Sequence, residues 1–263
     1  MIINELKKDI ATMAYRSGQG HIASSFSIVD ILWTLYDKVL KYDSSDPDWN
    51  DRDRFILSKG HGSFALYAVL ASKGLIDKAD LHSLCQFNSR YGAHPDRTKI
   101  PFVEATTGSL GHGAPISVGI AMALKIQKNP ARVFCLVGDG ECNEGTIWES
   151  ALLASHHKLD NLYWIIDYNH STDRALMMGD LVGKFSSFGW LGRSTYDGHD
   201  CNNFLSSLDF SNEFVIAFKP KCIVTNTIKG NGVSFMTNNP EWHHKTPTED
   251  EYFKIMEELE VTK

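Results

Sequence analysis

The sequence predicts an α/β fold in which a parallel sheet carries helices on both faces. Residues 132–137, 161–167 and 221–227 form short apolar runs, and the second is apolar throughout, as strands buried on both faces of a parallel sheet usually are. A helical pattern over 146–157 connects the first two runs into a βαβ unit. Polar or glycine-rich residues follow each run, at the end of the strand where such sheets bind ligands.

The remaining elements are predicted from apolar spacing. Helices are expected over four further segments: 2–15, 27–40, 63–72 and 114–125. A short strand is expected over 55–58. The segments 41–53 and 80–101 indicate a surface loop and an irregular region, and the glycine-rich stretch 106–113 opens the last of the four helices. No linker divides the chain, so we expect one domain over residues 1–263.

The composition argues against several classes of function. The net charge is −6, which leaves no basic excess to neutralise the phosphates of a nucleic acid. No apolar run reaches the length of a membrane span, and the N-terminus lacks the apolar segment of a signal peptide. The five cysteines form no C-x-x-C pair, which favours reduced thiols and a cytoplasmic location.

Polar residues after the first two predicted strands of the βαβ unit indicate a metal-bound diphosphate. Asp139 and Asn169 should converge, because the carboxyl ends of neighbouring parallel strands meet at one edge of a sheet. Mg²⁺ prefers such carboxylate and amide oxygens. Gly138 and Gly140 allow a sharp turn close to a phosphate, and the helix that begins after Gly145 adds N–H donors. Taken alone, each motif is more often a turn or a cap.

A wider set of motifs resembles the transketolase family. A Gly-Asp-Gly motif at 138–140 and an apolar strand that ends in Asn169 are similar to the signature of thiamine-diphosphate enzymes. Further segments look like successive blocks of the N-terminal half of transketolase, in family order: SGQGHIASSFSIVDILWTLY, RFILSKGHGSFALYAVLASKG, YGAHPD, VEATTGSLGHGAPISVGIAMA and KGNGVSFMTNNPEWHHKTPTEDE. The resemblance covers essentially the whole chain and implies the thiamine-diphosphate-binding fold, with residues 1–263 forming the pyrophosphate-binding domain.

The resemblance also implies a cofactor site. Asp139, Asn169 and the backbone carbonyl of Ser171 would bind Mg²⁺, or Ca²⁺ or Mn²⁺ in its place. The residues expected to contact thiamine diphosphate are His61, Gly108, Ser109, Leu110, Gly138, Asp139, Gly140, Glu141, Asn169 and His243.

Catalytic residues are implied in the same way. Four histidines match those that line the family's active-site channel: His21, His61, His94 and His243. Histidine suits this position because it can donate, accept and transfer protons near neutral pH. His21 and His243 would reach the hydroxyl groups of a ketose donor. Glu144 matches an acid in a hydrogen-bond network near the family's subunit interface, and Glu149 is a candidate to join it.

Some residues fall outside this pattern. Five further histidines are interpreted as surface or capping residues: His82, His156, His157, His199 and His244. Gly198-His199-Asp200 is a weak exception among them. The chain departs from the family motifs at Ile22, usually proline, and at His112, usually glutamine. These two positions bear on the sugar and leave the cofactor site intact.

The resemblance further implies that the chain is one part of an enzyme. The family's pyrimidine domain, which carries the glutamate that activates the cofactor, and its C-terminal domain are absent from this sequence. We therefore expect a separately encoded C-terminal subunit in an α2β2 assembly that transfers a two-carbon ketol unit between sugar phosphates. A fragment of a longer protein is the alternative. The charged tail expected over 249–263 favours a natural subunit.

Three other functions stay open at this stage. The α subunit of a 2-oxo-acid dehydrogenase shares the Gly-Asp-Gly and Asn motifs but not the LSKGHG and TTGSLGHG segments. A 1-deoxy-xylulose-5-phosphate synthase-like enzyme normally has both catalytic domains on one chain. A non-catalytic cofactor-binding module is the third possibility.

Overall fold

The computed structural model describes residues 2–173, 175–210 and 218–261. Its strands within these ranges are β1 (Arg54–Leu57), β2 (Val133–Gly138), β3 (Leu162–Tyr168), β4 (Leu191–Thr195) and β5 (Lys221–Asn226). They form one sheet in the order β1-β2-β3-β5-β4, and every neighbouring pair is parallel. The predicted α/β class is therefore confirmed.

Helices cover the sheet on both sides. In the described part of the chain they are α1 (Ile2–Ser17), α2 (Ile22–Phe26), α3 (Val29–Thr34), α4 (Ser63–Ser72), α5 (Gly113–Ile126), α6 (Gly145–His156), α7 (Leu181–Ser187), α8 (Cys201–Leu208) and α9 (Glu249–Val261). Short 3-10 turns occur at Gly60–Gly62, Lys78–Ser83, Gly140–Asn143 and Pro240–His243. None of these described helices has both the length and the apolar character needed to cross a lipid bilayer.

Two apolar cores lie on opposite faces of the sheet because successive strand residues point in opposite directions. Phe134 and Leu136 of β2 pack in the core that holds α1 to α4. Val133, Cys135 and Val137 of the same strand pack in the core that holds α5 to α7. The predicted placement of helices on both faces is confirmed.

The register of the sheet brings two strand ends side by side. Gly138 of β2 lies opposite Asp167 of β3, and the N–H of Asp139 donates to the carbonyl of Asp167 at 3.1 Å. Asn169 follows two residues later. The sheet edge beyond β2 and β3 is thus formed by the segments that sequence analysis singled out.

The predicted helix over 27–40 is observed as α3 followed directly by a π turn, and it begins two residues later than predicted. The chain forms α2 and α3, separated at Ser27 and Ile28, and then a π turn over Leu35–Val39. The buried Ser27 Oγ lies 2.9 Å from the carbonyl of Ser24 and 2.8 Å from Asp167 Oδ2. This side-chain contact with the sheet edge lies where α2 ends and α3 begins.

The charged segment expected over 249–263 forms the helix α9 as far as residue 261; residues 262 and 263 lie outside the described ranges. Ile255 and Leu259, four positions apart, are buried on one face of the helix. The Tyr252 ring stacks on Tyr15 of α1 with centroids 4.5 Å apart. This terminal segment is therefore part of the packed core.

Candidate active site

A cavity lies beyond the carboxyl ends of β1, β2, β3 and β5. Most of the predicted site residues line it; those that do not are His21, His94, Gly108, Ser109 and Glu144. Ser24, Lys59 and Lys229 line it as well, although sequence analysis did not single them out. A cleft of about 640 Å³ adjoins the cavity and shares Asn169, Ser171, Lys229 and His243 with it.

The three predicted metal ligands are brought together at one side of the cavity. Asp139 Oδ2 accepts a hydrogen bond from the backbone N–H of Ser171 at 3.0 Å, and Asn169 Oδ1 accepts from the same N–H at 3.1 Å. The N–H of Gly140 donates to Asp139 Oδ1 at 2.7 Å. Asn169 Nδ2 donates to Asp167 Oδ2 at 2.9 Å, which leaves the amide oxygen on the side of Ser171.

The environment of Asp139 suits a cation. Burial raises the pKa of Asp139, and the negative charge of Asp167 raises it further. A cation at the carboxylate would offset both effects. The described residues hold no group of three or more His, Cys, Asp and Glu side chains arranged for a metal ion. A metal here would therefore depend on amide and backbone oxygens in addition to Asp139.

A buried ion pair forms the floor of the cavity. Lys59 Nζ lies 2.5 Å from Asp167 Oδ2, and their side chains are 2% and 0% exposed. Thr227 Oγ1 and Ser27 Oγ also donate to the Asp167 carboxylate. Burial alone would raise the pKa of Asp167, but Lys59 and these hydrogen bonds hold it below its usual value. Asp167 is therefore ionised, and Lys59 supplies a fixed positive charge.

A second lysine lies between the cavity and the cleft. Lys229 Nζ is 2.7 Å from Nδ1 of His243. Burial, together with the charge of Lys59, lowers the pKa of Lys229 to about 8, so the ammonium is protonated at neutral pH. Burial and Lys229 lower the pKa of His243. His243 Nδ1 thus accepts from the ammonium, and its Nε2 carries the proton that can be donated to a ligand.

Three of the predicted catalytic histidines form a cluster at the mouth of the cavity. The ring centroid of His21 lies 5.1 Å from that of His61 and 5.8 Å from that of His243. Burial lowers the pKa of His61 to about 2, with Lys59 contributing, and lowers that of His21 to about 4, with His244 contributing. Both rings are neutral near pH 7. Nδ1 of His21 is buried without a hydrogen-bond partner among the described residues.

His244 is exposed, in agreement with its interpretation as a surface residue, and its ring also belongs to the same cluster. Its ring centroid lies 4.5 Å from that of His21. Its backbone packs against Gly20, where a Cβ atom would lie 2.6 Å from the His244 carbonyl carbon. The close approach of these two backbones places His21, which has a left-handed backbone with φ of 69°, beside the 240–244 segment.

The fourth predicted histidine, His94, packs against the glycine-rich loop. The ring of His94 packs on Gly108, where a Cβ atom would come within 3.1 Å of it. Ser109 is exposed, and Leu110 reaches the cavity. The segment 108–110 therefore contributes one wall through Leu110, with His94 behind it.

The two predicted acidic residues have different surroundings. Glu141 is buried; its Oε1 accepts from Ser58 Oγ at 2.5 Å and from the N–H of Gly111 at 2.8 Å, and its Oε2 accepts from the N–H of Gly138 at 3.1 Å. Through these hydrogen bonds, Glu141 connects the loops that contain Ser58, Gly111 and Gly138 around the cavity. Glu144 is exposed and packs against Gly111 from the solvent side.

Ser24 gives an independent indication of a ligand. Its Oγ is buried and has no hydrogen-bond partner within the described ranges, although the residue lines the cavity. Buried hydroxyl groups are normally hydrogen-bonded, so this group is suited to a bound acceptor such as a phosphate oxygen. With Lys59 and Lys229, it makes the cavity fit a metal-bound diphosphate. Lys59 and Lys229 each follow a strand and precede a glycine-rich turn. This pattern often marks phosphate sites and could have identified the two lysines from the sequence.

Comparisons with known proteins found related sequences and structures. The family model described as the transketolase, thiamine diphosphate binding domain, matches residues 2–261. The chain is 34% identical to one of the apulose-4-phosphate transketolase subunits of Phocaeicola vulgatus, over 96% of this chain and 90% of that protein. It is 37% identical to the 6-deoxy-6-sulfo-D-fructose transketolase subunit SqwG of a Clostridium species, over 92% of this chain and 89% of that protein.

Solved structures share the fold. Transketolase from Campylobacter jejuni matches with a TM-score of 0.88 and 28% identity, over 98% of this chain and 42% of that chain. Transketolase from Leishmania mexicana matches with a TM-score of 0.85 and 29% identity, over 98% of this chain and 41% of that chain. The present chain spans about two fifths of the length of these proteins.

Proposed function

Because the chain belongs to the transketolase family, by its thiamine diphosphate-binding domain, we propose that it is the N-terminal subunit of a two-component transketolase. The complete enzyme would transfer a two-carbon ketol unit from a ketose phosphate donor to an aldose phosphate acceptor. The relatives named as transketolase subunits support this function over a 2-oxo-acid dehydrogenase, a 1-deoxy-xylulose-5-phosphate synthase-like enzyme or a non-catalytic module.

The cavity between the strand ends is the observation that carries the proposal. Asp139, Asn169 and Ser171 would hold Mg²⁺, or Ca²⁺ or Mn²⁺, and Lys59 and Lys229 would face the diphosphate. Thiamine diphosphate, when bound, supplies the nucleophilic carbon and the electron sink that carbon–carbon cleavage beside a ketone requires. The cavity residues of this chain fix its charged end.

The neutral histidines would act on the sugar. His21 presents an Nδ1 that lacks a partner in the described structure, and His243 presents an Nε2–H because its Nδ1 accepts from Lys229. Each can accept or donate one hydrogen bond to a ketose hydroxyl and can move a proton there near neutral pH. Burial lowers the pKa of His61 to about 2, which keeps its ring uncharged beside the two lysines.

A partner subunit would complete the site. The cavity opens into a cleft on this chain, and we propose that the pyrimidine and C-terminal domains sit on a separately encoded subunit that closes it. A two-fold α2β2 heterotetramer is the assembly we expect. The exposed Glu144, with Glu149, would lie at the subunit contact. All five cysteines are free, which supports a cytoplasmic location.

Recovery of the tagged chain with its partner from native cells tests this function. The complete assembly should cleave ketose phosphates only with thiamine diphosphate and Mg²⁺. Asp139→Ala should abolish Mg²⁺-dependent cofactor binding and leave the subunits associated, whereas Asp48→Ala, in the exposed 41–53 loop, should change neither. Full activity of the Asp139→Ala assembly would refute the site. A chain that recovers no partner and stays inert would refute the two-component enzyme.

A further inference from the structure

We propose that His199 is a positioning residue for the cofactor site, because it fixes the backbone of the segment that presents Lys229. This inference rests on the proposed function, since it assigns Lys229 to the diphosphate. His199 lies outside the cavity, in the motif Gly198-His199-Asp200 that follows β4.

Both ring nitrogens of His199 have partners. Nδ1 is 2.9 Å from Asp30 Oδ2 on α3, and Nε2 is 2.8 Å from the backbone nitrogen of Ile228. A backbone N–H can only donate, so Nε2 accepts and Nδ1 carries the proton that is donated to Asp30. The side chains of His199 and Asp30 are 10% and 11% exposed. The ring therefore connects α3 to the loop after β5 in one defined tautomer.

The hydrogen bond from the Ile228 N–H to His199 orients a peptide in the loop after β5. This peptide lies between two backbone hydrogen bonds. The N–H of Thr227 donates to the carbonyl of Tyr168 at 3.2 Å, and the N–H of Gly230 donates to the carbonyl of Ala23 at 3.1 Å. Between them, the N–H of Ile228 bonds to the His199 ring instead of to the backbone. The Ile228 side chain is 40% exposed, so packing restrains it weakly.

Lys229 is the next residue, and its position depends on that peptide. Its Nζ lies 2.7 Å from His243 Nδ1, and this contact sets the tautomer of His243. If the Thr227–Ile228 peptide turned away from His199, the backbone of Lys229 would shift and its ammonium would leave both the cavity and His243. A diphosphate would then lose one of its two cationic partners.

The remaining residues of the motif hold His199 in place. The N–H of Gly198 donates to the carbonyl of Asn226 at 2.7 Å, and a Cβ atom at this position would lie 2.7 Å from Thr227 Cγ2. Asp200 caps α8 by accepting from the N–H of Asn203 at 2.7 Å. The motif therefore packs against the end of β5, directly before Ile228.

Two substitutions of His199 separate positioning from a merely structural role. An asparagine amide can replace Nδ1 toward Asp30 but does not reach Ile228, whereas a glutamine oxygen can replace Nε2 as the acceptor for the Ile228 N–H. In the complete enzyme with Mg²⁺, calorimetry should show thiamine diphosphate binding about tenfold weaker for His199→Asn and within about threefold of wild type for His199→Gln. At saturating cofactor, KM for the ketose should rise for His199→Asn and stay close to wild type for His199→Gln, because the His243 tautomer depends on the position of Lys229.

Thermal unfolding of the cofactor-free assemblies is measured alongside, and the two variants should unfold at similar temperatures. Equal cofactor affinity in wild type and His199→Asn would overturn the inference. Equal weakening in both variants would overturn it as well, because the acceptor for Ile228 would then be irrelevant. A wild-type enzyme that binds no thiamine diphosphate would instead overturn the proposed function, and this inference with it.

Discussion

Lys59 Nζ and Asp167 Oδ2 form an ion pair at 2.5 Å that is almost fully removed from solvent. Lys59 follows β1 and Asp167 lies in β3. Because β2 lies between these two strands, the ion pair connects the end of the edge strand β1 to β3 at the candidate site. Removal of one partner from such a pair leaves an uncompensated buried charge.

We therefore expect Lys59→Met to lower the free energy of unfolding by about 3–5 kcal/mol. Chemical denaturation of the full chain measures this loss. The double variant Lys59→Met, Asp167→Asn should recover at least half of it, because the unpaired carboxylate is gone. An unchanged denaturation midpoint in the single variant would show that the pair contributes nothing to stability.

Ser24 and Ser25 provide a matched test of cofactor binding. Both hydroxyl groups are buried and lack a hydrogen-bond partner in the part of the chain that the structure describes, but only Ser24 lines the cavity. Each alanine variant should unfold at the wild-type midpoint or be more stable by up to about 1 kcal/mol, since no bond is lost. Ser24→Ala should weaken thiamine diphosphate binding by the complete enzyme about threefold to tenfold, and Ser25→Ala should not. Equal affinities of the two variants would contradict the role of Ser24.

Substitution of Gly20 tests the close packing of its backbone against that of His244. A Cβ atom there would lie 2.6–2.9 Å from backbone atoms of His244, which side-chain rotation cannot relieve. Gly20→Ala should cost about 1–3 kcal/mol of stability and raise KM for the ketose, because His21 and His243 are displaced. Gly119→Ala, in α5 with open space around it among the described residues, is the control and should be neutral or stabilising. Loss of stability without a change in KM would show that the contact between Gly20 and His244 does not affect catalysis.

The lowered pKa of Lys229 predicts that cofactor binding weakens at alkaline pH. Its pKa is about 8, lowered by burial, so the cation is present below that pH and lost above it. Affinity for thiamine diphosphate should fall by up to about tenfold for each pH unit above 8. Lys229→Arg should abolish this fall, because guanidinium stays protonated throughout. The same alkaline loss in the arginine variant would assign the titration to another group.

Much of the site could be predicted from sequence because parallel strands place their carboxyl ends at one edge. Asp139 and Asn169 converge for that reason alone, whereas the histidines were implied by the resemblance to the transketolase family. The Lys59–Asp167 pair could not be predicted, because it depends on the order of strands in the sheet, which periodicity does not encode. The contact of His244 with His21 could not be predicted either, because only tertiary packing brings the 240–244 segment to His21.

The fold was predicted best where strands are buried on both faces. β2 is buried along its whole length and was found. β4 was missed: it is an edge strand with four of five residues only partly buried or exposed, and it contains Gly192. The helix α9 was missed because acidic residues dominate it, and only its spaced apolar residues reach the core.

The cavity draws on residues from Ser24 to His243, so nearly the whole chain must be in place before it exists. A ligand that binds only the folded form stabilises it by mass action, about 2.7 kcal/mol at a hundredfold excess over Kd. Supply of vitamin-derived cofactor should thus set the lifetime of this protein in the cell. When that supply fails, more chains would open to proteases, and the amount of this protein would decline together with its activity.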